Sequence, residues 1–152
     1  MMDADALYHV SQSDLKGLPK NKSVITPHFQ EFKTLFRGVN LSSSEKNVAE
    51  AVKRIQEVVI LKGNGSLIGV GETVYKNQTG SSALATAGSG DVLTGLIVGL
   101  MAQGVSVEES ARLGVFLHGL AGDLAEADLG THSVIASDII LHISAAFKAL
   151  IG

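Results

Sequence analysis

Cysteine is absent from the 152-residue chain, which excludes disulfides, thiolate zinc sites and cysteine nucleophiles together and fits a reducing cytoplasm. Basic charge is also scarce. Lysine and arginine number 12 against 15 acidic side chains, so a formal net charge of -3 leaves no broad positive field to hold a nucleic acid. Long apolar runs are missing too, because Gly, Ser, Glu or His interrupts each one before bilayer length, and Asp3 and Asp5 stand where a secretory leader would be basic. These absences lead us to expect a cytoplasmic protein with neither a nucleic-acid nor a membrane partner. Internal repeats and low-complexity linkers are likewise lacking, so residues 1–152 are read as one domain.

What is present is a 45% hydrophobic content in a chain long enough to bury a real core. Short β-branched runs alternate with segments of helical period, the pattern of an α/β domain with a mostly parallel sheet. Residues 23–26 read as a strand, followed by a helix opened by Pro27 and running through Phe32 and Leu35. Ser42 with Glu45 makes a capping-box pattern, and Val48, Val52 and Ile55 then recur on one helical face that should pack on the sheet. The run Val58, Val59, Ile60, Leu61 is apolar throughout, as expected of a central strand covered on both faces. Residues 67–70 and 73–75, separated by Gly71 and Glu72, read as a β-hairpin. Beyond Val92 the chain is helical: a stripe of Leu93, Leu96, Ile97 and Leu100 ends at Gly104, Ser106 with Glu109 starts a second helix, and Ser137 or Asp138 caps a third.

The segment 77–91 is the most informative stretch, a loop of small residues running straight into an amphipathic helix. Gly88, Ser89 and Gly90 allow unusual backbone conformations, and their N–H groups fall at a helix N-terminus, where the macrodipole favours phosphate. Asp91, in the first turn, is placed to accept a hydroxyl proton during phosphoryl transfer, a reaction in which an enzyme mainly positions groups and neutralises charge. A lone Gly-x-Gly-Asp could equally be a glycine-rich turn with an aspartate cap. Its neighbours carry the argument further.

The run Ala85-Thr86-Ala87-Gly88-Ser89-Gly90-Asp91-Val92-Leu93-Thr94-Gly95 closely resembles the signature of the NAD(P)H-hydrate dehydratases, within the ribokinase-like superfamily. Three further segments resemble that family in the same order: Asp3-Ala4-Asp5-Ala6-Leu7, then Thr26-Pro27-His28 with Glu31-Phe32, then Leu61-Lys62-Gly63. The resemblance implies a ribokinase-like three-layer α/β/α fold, here without its N-terminal part, since family members carry about as much of the domain again upstream. It therefore implies a partial domain that forms homo-oligomers or associates with the missing N-terminal part.

The resemblance also implies roles for particular residues. Asp91 becomes the catalytic carboxylate and, with His28, a contact to the hydrated nicotinamide nucleotide. Lys62, Gly63, Asn64, Gly65, Ser66 and Gly90 become the nucleotide contacts, and Glu31 a residue near magnesium-bound water. Gln30 and Ala87 depart from the family pattern, in which glycine is usual at both places. No protein metal ligand is assigned, and His118, Asp123 and Asp128 are read as core or solvated residues because His118 and Asp123 share a helical face poorly.

The implied reaction uses ADP or ATP with Mg2+ to phosphorylate the ring hydroxyl of hydrated NADH or NADPH (NAD(P)HX) and then eliminates phosphate, restoring NAD(P)H. Such a protein is a carbon–oxygen lyase of metabolite repair. Two alternatives share the sequence features: a ribokinase-like kinase of a small molecule such as a vitamin precursor, and a non-catalytic nucleotide-binding fragment.

Overall fold

The computed structural model describes residues 1–10, 17, 22–38 and 43–152. At its centre Val58–Leu61 forms β2, with all four side chains buried. Val24–Ile25 (β1) pairs with it in parallel, Val24 opposite Val58. On the other side lie Leu67–Val70 (β3) and then Thr73–Lys76 (β4), both antiparallel to their neighbours. Met2 extends the parallel side through a bridge to Ile25. The sheet is therefore mixed and not mostly parallel as expected: β1 and β2 are parallel because helices connect them, whereas the short 62–66 loop and the Gly71–Glu72 turn can only return the chain antiparallel.

Successive strand residues face opposite sides of a sheet, and both sides here are covered. Ile25, Val59, Leu61 and Leu67 pack with Phe32, Val48 and Val52 in one core. That face is layered by Asp5–His9 (α1), Phe29–Leu35 (α2) and Ser44–Ile55 (α3). Val24, Val58, Ile60 and Ile68 pack with Leu93, Ile97 and Val115 on the opposite face, beneath Ser89–Ala102 (α4) and Val107–Leu129 (α5). The result is three layers. Ala136–Ile151 (α6) lies outside them against α4 and α5, where Leu117, Ala121, Ala125, Ile139 and Ala146 form a third cluster.

Local signals explain most helix boundaries, with small shifts from the sequence reading. Pro27 precedes α2 rather than opening it, because His28 takes the cap position. For α3 the cap is Ser43, which accepts from the Lys46 N–H at 3.3 Å, while Ser42 lies outside the described residues. Ser106 caps α5 as expected, accepting from Glu109 N–H at 3.2 Å. Asp138 caps α6 from inside its first turn, accepting from Ile135 N–H at 2.9 Å. Among the described residues no helix is long and apolar enough to cross a membrane.

Candidate functional site

The site begins at the N-terminus of α4. Gly88 takes the cap position with φ 82°, a left-handed conformation that side chains with a Cβ resist, and this turns the chain sharply into the helix. Among the described residues the N–H groups of Gly90 and Asp91 have no acceptor, as first-turn donors do unless something outside the helix takes them. Two aligned donors and the positive end of the helix dipole make this a place for a phosphate oxygen.

A cation stands beside those donors. Lys62 follows β2, where its N–H donates to Pro27 O at 2.9 Å and forms a parallel bridge with His28. Its side chain turns toward α4, and an ideal Cβ on Gly90 would lie 3.6 Å from the Lys62 Nζ. Asp3 holds it there: Nζ lies 2.6 Å from Asp3 Oδ1, while Thr94 Oγ1 donates to Asp3 Oδ2 at 2.9 Å. Burial works to raise the pKa of this carboxyl. The hydrogen bond and charge of Lys62, with hydroxyl bonds from Thr94 and Thr26, outweigh burial and hold it below the usual carboxylate value. The residues after Lys62 curl into a short loop in which Ser66 Oγ donates to Gly63 O at 3.2 Å.

The opposite wall is the loop that follows β4. Thr79 Oγ1 donates to Phe116 O at 2.8 Å, Asn77 Nδ2 donates to Thr79 O at 2.8 Å, and Gly80 N–H donates to Asp123 Oδ2 at 2.9 Å. The bonds to Phe116 and Asp123 tie the loop to α5, and the Asn77–Thr79 bond braces the loop itself. Beneath it His118 is buried, with Nε2 2.9 Å from Ser89 O and 3.2 Å from Ser89 Oγ. Loss of solvent lowers the His118 pKa below its ordinary value, although the Ser89 carbonyl partly opposes this. A neutral ring that donates from Nε2 to the Ser89 carbonyl fits both observations, and it pins the first turn of α4 from below.

Between these walls opens a cleft of about 660 Å³ lined by Lys62, Gly63, Asn64, Gly65, Ser66, Asn77, Thr79, Gly80, Ser89, Gly90 and His118, among others. Its size suits a small organic ligand. The structure thus brings together the Lys62–Ser66 segment and Gly90, which are far apart in the sequence. Asp91 is one residue further on and exposed, lining a neighbouring apolar groove between α4 and α6 with Gly95, Ile140 and Phe147. His28 lies in neither cavity. Its Nδ1 accepts from the N–H groups of Gln30 and Glu31 at 3.1 and 3.2 Å, and Glu31 Oε2 accepts from His28 N–H at 2.7 Å, a reciprocal cap of α2. Glu31 is therefore engaged in capping. No group of three or more His, Cys, Asp or Glu among the described residues is arranged to hold a metal ion.

Asp3, Thr94, Thr79 and His118 were not singled out as site residues from the sequence. Asp3 and Thr94 had nevertheless stood within family-like motifs and Thr79 within the 77–91 loop, whereas His118 had been read as a core or solvated residue.

A sequence profile of the NAD(P)H-hydrate dehydratase family matches residues 1–145. The chain belongs to this family. It is 36% identical over 151 residues to an ADP-dependent (S)-NAD(P)H-hydrate dehydratase from Nitrosopumilus maritimus, covering 97% of this chain and 51% of that protein. It is 36% identical over 145 residues to a bifunctional NAD(P)H-hydrate repair enzyme from Vibrio cholerae, covering 93% of this chain and 28% of that one. The crystal structure of the ADP/ATP-dependent NAD(P)H-hydrate dehydratase from Bacillus subtilis, co-crystallized with ATP/Mg2+, superimposes with a TM-score of 0.83 at 28% identity, covering 97% of this chain and 53% of that one. A ribokinase from Thermotoga maritima shares the fold, with a TM-score of 0.62 at 18% identity over 93% of this chain and 48% of that one. This member of the dehydratase family has the ribokinase-like α/β fold expected from its sequence, and it spans about half the length or less of the relatives it matches.

Proposed function

We propose that the protein takes part in the nucleotide-dependent dehydration of NAD(P)HX, with ADP or ATP held in the cleft between the Lys62–Ser66 loop and the start of α4. The observation that carries this reading is the convergence of the Lys62 ammonium with the open N–H of Gly90, at the N-terminus of α4, on one wall of that cleft. The arrangement suits the negative charge of a terminal phosphoryl group. Magnesium would be carried by the nucleotide phosphates, where it would neutralise part of their charge.

Asp91 adjoins the anion-binding turn but opens on the α4–α6 side, so it can meet a hydroxyl that approaches from outside the nucleotide cleft. In the first step the ring hydroxyl of NAD(P)HX attacks the terminal phosphorus and its proton passes to Asp91. The phosphorus–oxygen bond to the nucleotide breaks. In the second step the carbon–oxygen bond breaks as phosphate leaves, and the adjacent ring carbon gives up a proton to form the double bond of NAD(P)H. Phosphorylation matters because hydroxide is a poor leaving group and phosphate a good one. His28 has an exposed ring at the end of β1, and we assign it to the nicotinamide nucleotide.

The test is incubation of the protein with NAD(P)HX and either ADP or ATP, following the absorbance of reduced nicotinamide and released phosphate. Both should rise together and only with nucleotide. A phosphorylated product that persists without phosphate release would instead indicate a small-molecule kinase.

A further inference from the structure

Lys62 lines the cleft, but the group that fixes it does not. Asp3 stands behind the ammonium, and each of its carboxylate oxygens has a separate task. One oxygen accepts from Lys62 Nζ at 2.6 Å, and the other accepts from Thr94 Oγ1, on the turn of α4 that follows Gly90. The carboxylate therefore ties the lysine to the helix whose N-terminus forms the anion site. Without it, the flexible four-carbon stem has no other charged partner among the described residues to keep it there.

From this linkage we infer that Asp3 is a positioning residue, which holds the Lys62 ammonium against the start of α4 so that it meets the terminal phosphate of a nucleoside diphosphate or triphosphate. The inference rests on the nucleotide reading of the cleft. The low pKa of Asp3 keeps the carboxylate charged across the neutral range, so the link persists at working pH. A charge-assisted bond of this length also fixes direction, which a lysine in open solvent lacks.

The experiment is calorimetric binding of ADP and AMP to the wild-type protein, D3N, K62M and the D3N/K62M double variant. ADP carries the terminal phosphate that AMP lacks, so the ratio of the two affinities reports on the lysine. Wild type should prefer ADP, and K62M should lose about tenfold of that preference. D3N should lose a similar share while its AMP affinity stays within about twofold of wild type, and the double variant should be no worse than K62M. A preference in D3N equal to wild type, or losses that multiply in the double variant, would overturn the positioning role. A wild-type protein that binds neither nucleotide would overturn the reading of the cleft itself. If D3N fails to fold by circular dichroism, T94V serves in its place, because it frees the second oxygen and keeps the charge. Reduced ADP preference in T94V supports the inference, and an unchanged one overturns it.

Discussion

Gly119 and Thr79 touch across the floor of the cleft, and the contact leaves no room for a side chain on the helix. A Cβ on Gly119 would fall 2.2 Å from Thr79 Oγ1 and 2.7 Å from the Thr79 carbonyl carbon and oxygen. The atoms in the way are largely backbone, and the Thr79 hydroxyl is held by its bond to Phe116 O. Gly119→Ala is therefore expected to push the Asn77–Gly80 wall outward, with a loss of about 1–3 kcal/mol in stability and weaker ADP binding. Urea unfolding and calorimetry check the two effects, and unchanged values in both would show that the wall moves freely.

Asp91 should behave differently, since it is exposed and its loss leaves the packing intact. Asp91→Asn keeps the shape and removes the charge that accepts a proton. Turnover is expected to fall by roughly 10²–10⁴-fold, while ADP affinity changes little. Single-turnover phosphate release measured beside calorimetry separates the two. Near-normal turnover would remove Asp91 from the reaction.

Two histidines give stability opposite pH dependences. His142 Nε2 lies 2.9 Å from Asp128 Oδ2, and that bond, with a backbone bond to Asp138 O and nearby carboxylate charge, raises its pKa above 6.5. Its contribution is fully present below 6.5 and is lost as pH rises through the folded pKa. His118 is lowered from 6.5, chiefly by burial, so its contribution is present above 6.5 and fades as pH falls toward its folded value. Denaturant unfolding across this range should show H142Q flattening the curve above 6.5 and H118Q flattening it below. Curves parallel to wild type on both sides would contradict these linkages.

A core substitution away from the cleft separates stability from binding. Ile60 is fully buried at the centre of β2 and faces Leu93 and Ile97. Ile60→Val should cost about 0.5–1.5 kcal/mol and leave the ADP dissociation constant unchanged. A large loss of affinity would mean that the cleft depends on packing further away than its own walls.

The elements were legible where their cause is local. Val58–Leu61 announced a strand buried on both faces by being apolar throughout, and Ser106 announced α5 by its cap. The glycines of the 88–90 turn likewise announced a sharp entry into α4 at Gly88, because backbone freedom and helix position are properties of neighbouring residues. The Asp3–Lys62–Thr94 linkage was not legible from spacing, since its members belong to three separate segments that only the packed layers bring together. His118 gave a similar problem, as a helical histidine signals burial more readily than the carbonyl it meets. At α3 the spacing of Ser42 to Glu45 pointed one residue too early, since the side chain that accepts a first-turn N–H is that of Ser43.

The mixed sheet also has a consequence for the order of assembly. β3 and β4 meet across a two-residue turn, whereas β1 reaches β2 only after α2 and α3 have been traversed. Closing the longer loop costs more chain entropy before any contact rewards it, so the hairpin is expected to acquire its native pairing early and the parallel pair late. Pulsed hydrogen exchange during refolding should protect Ile68 and Tyr75 before Val58 and Lys62, whose N–H groups donate to Ser23 O and Pro27 O on the parallel side, and the reverse order would contradict it. Because Lys62 continues directly from β2 and bridges to His28, its placement beside the start of α4 would be among the last features to mature, and the proposed nucleotide capture would then report the end of folding rather than its beginning.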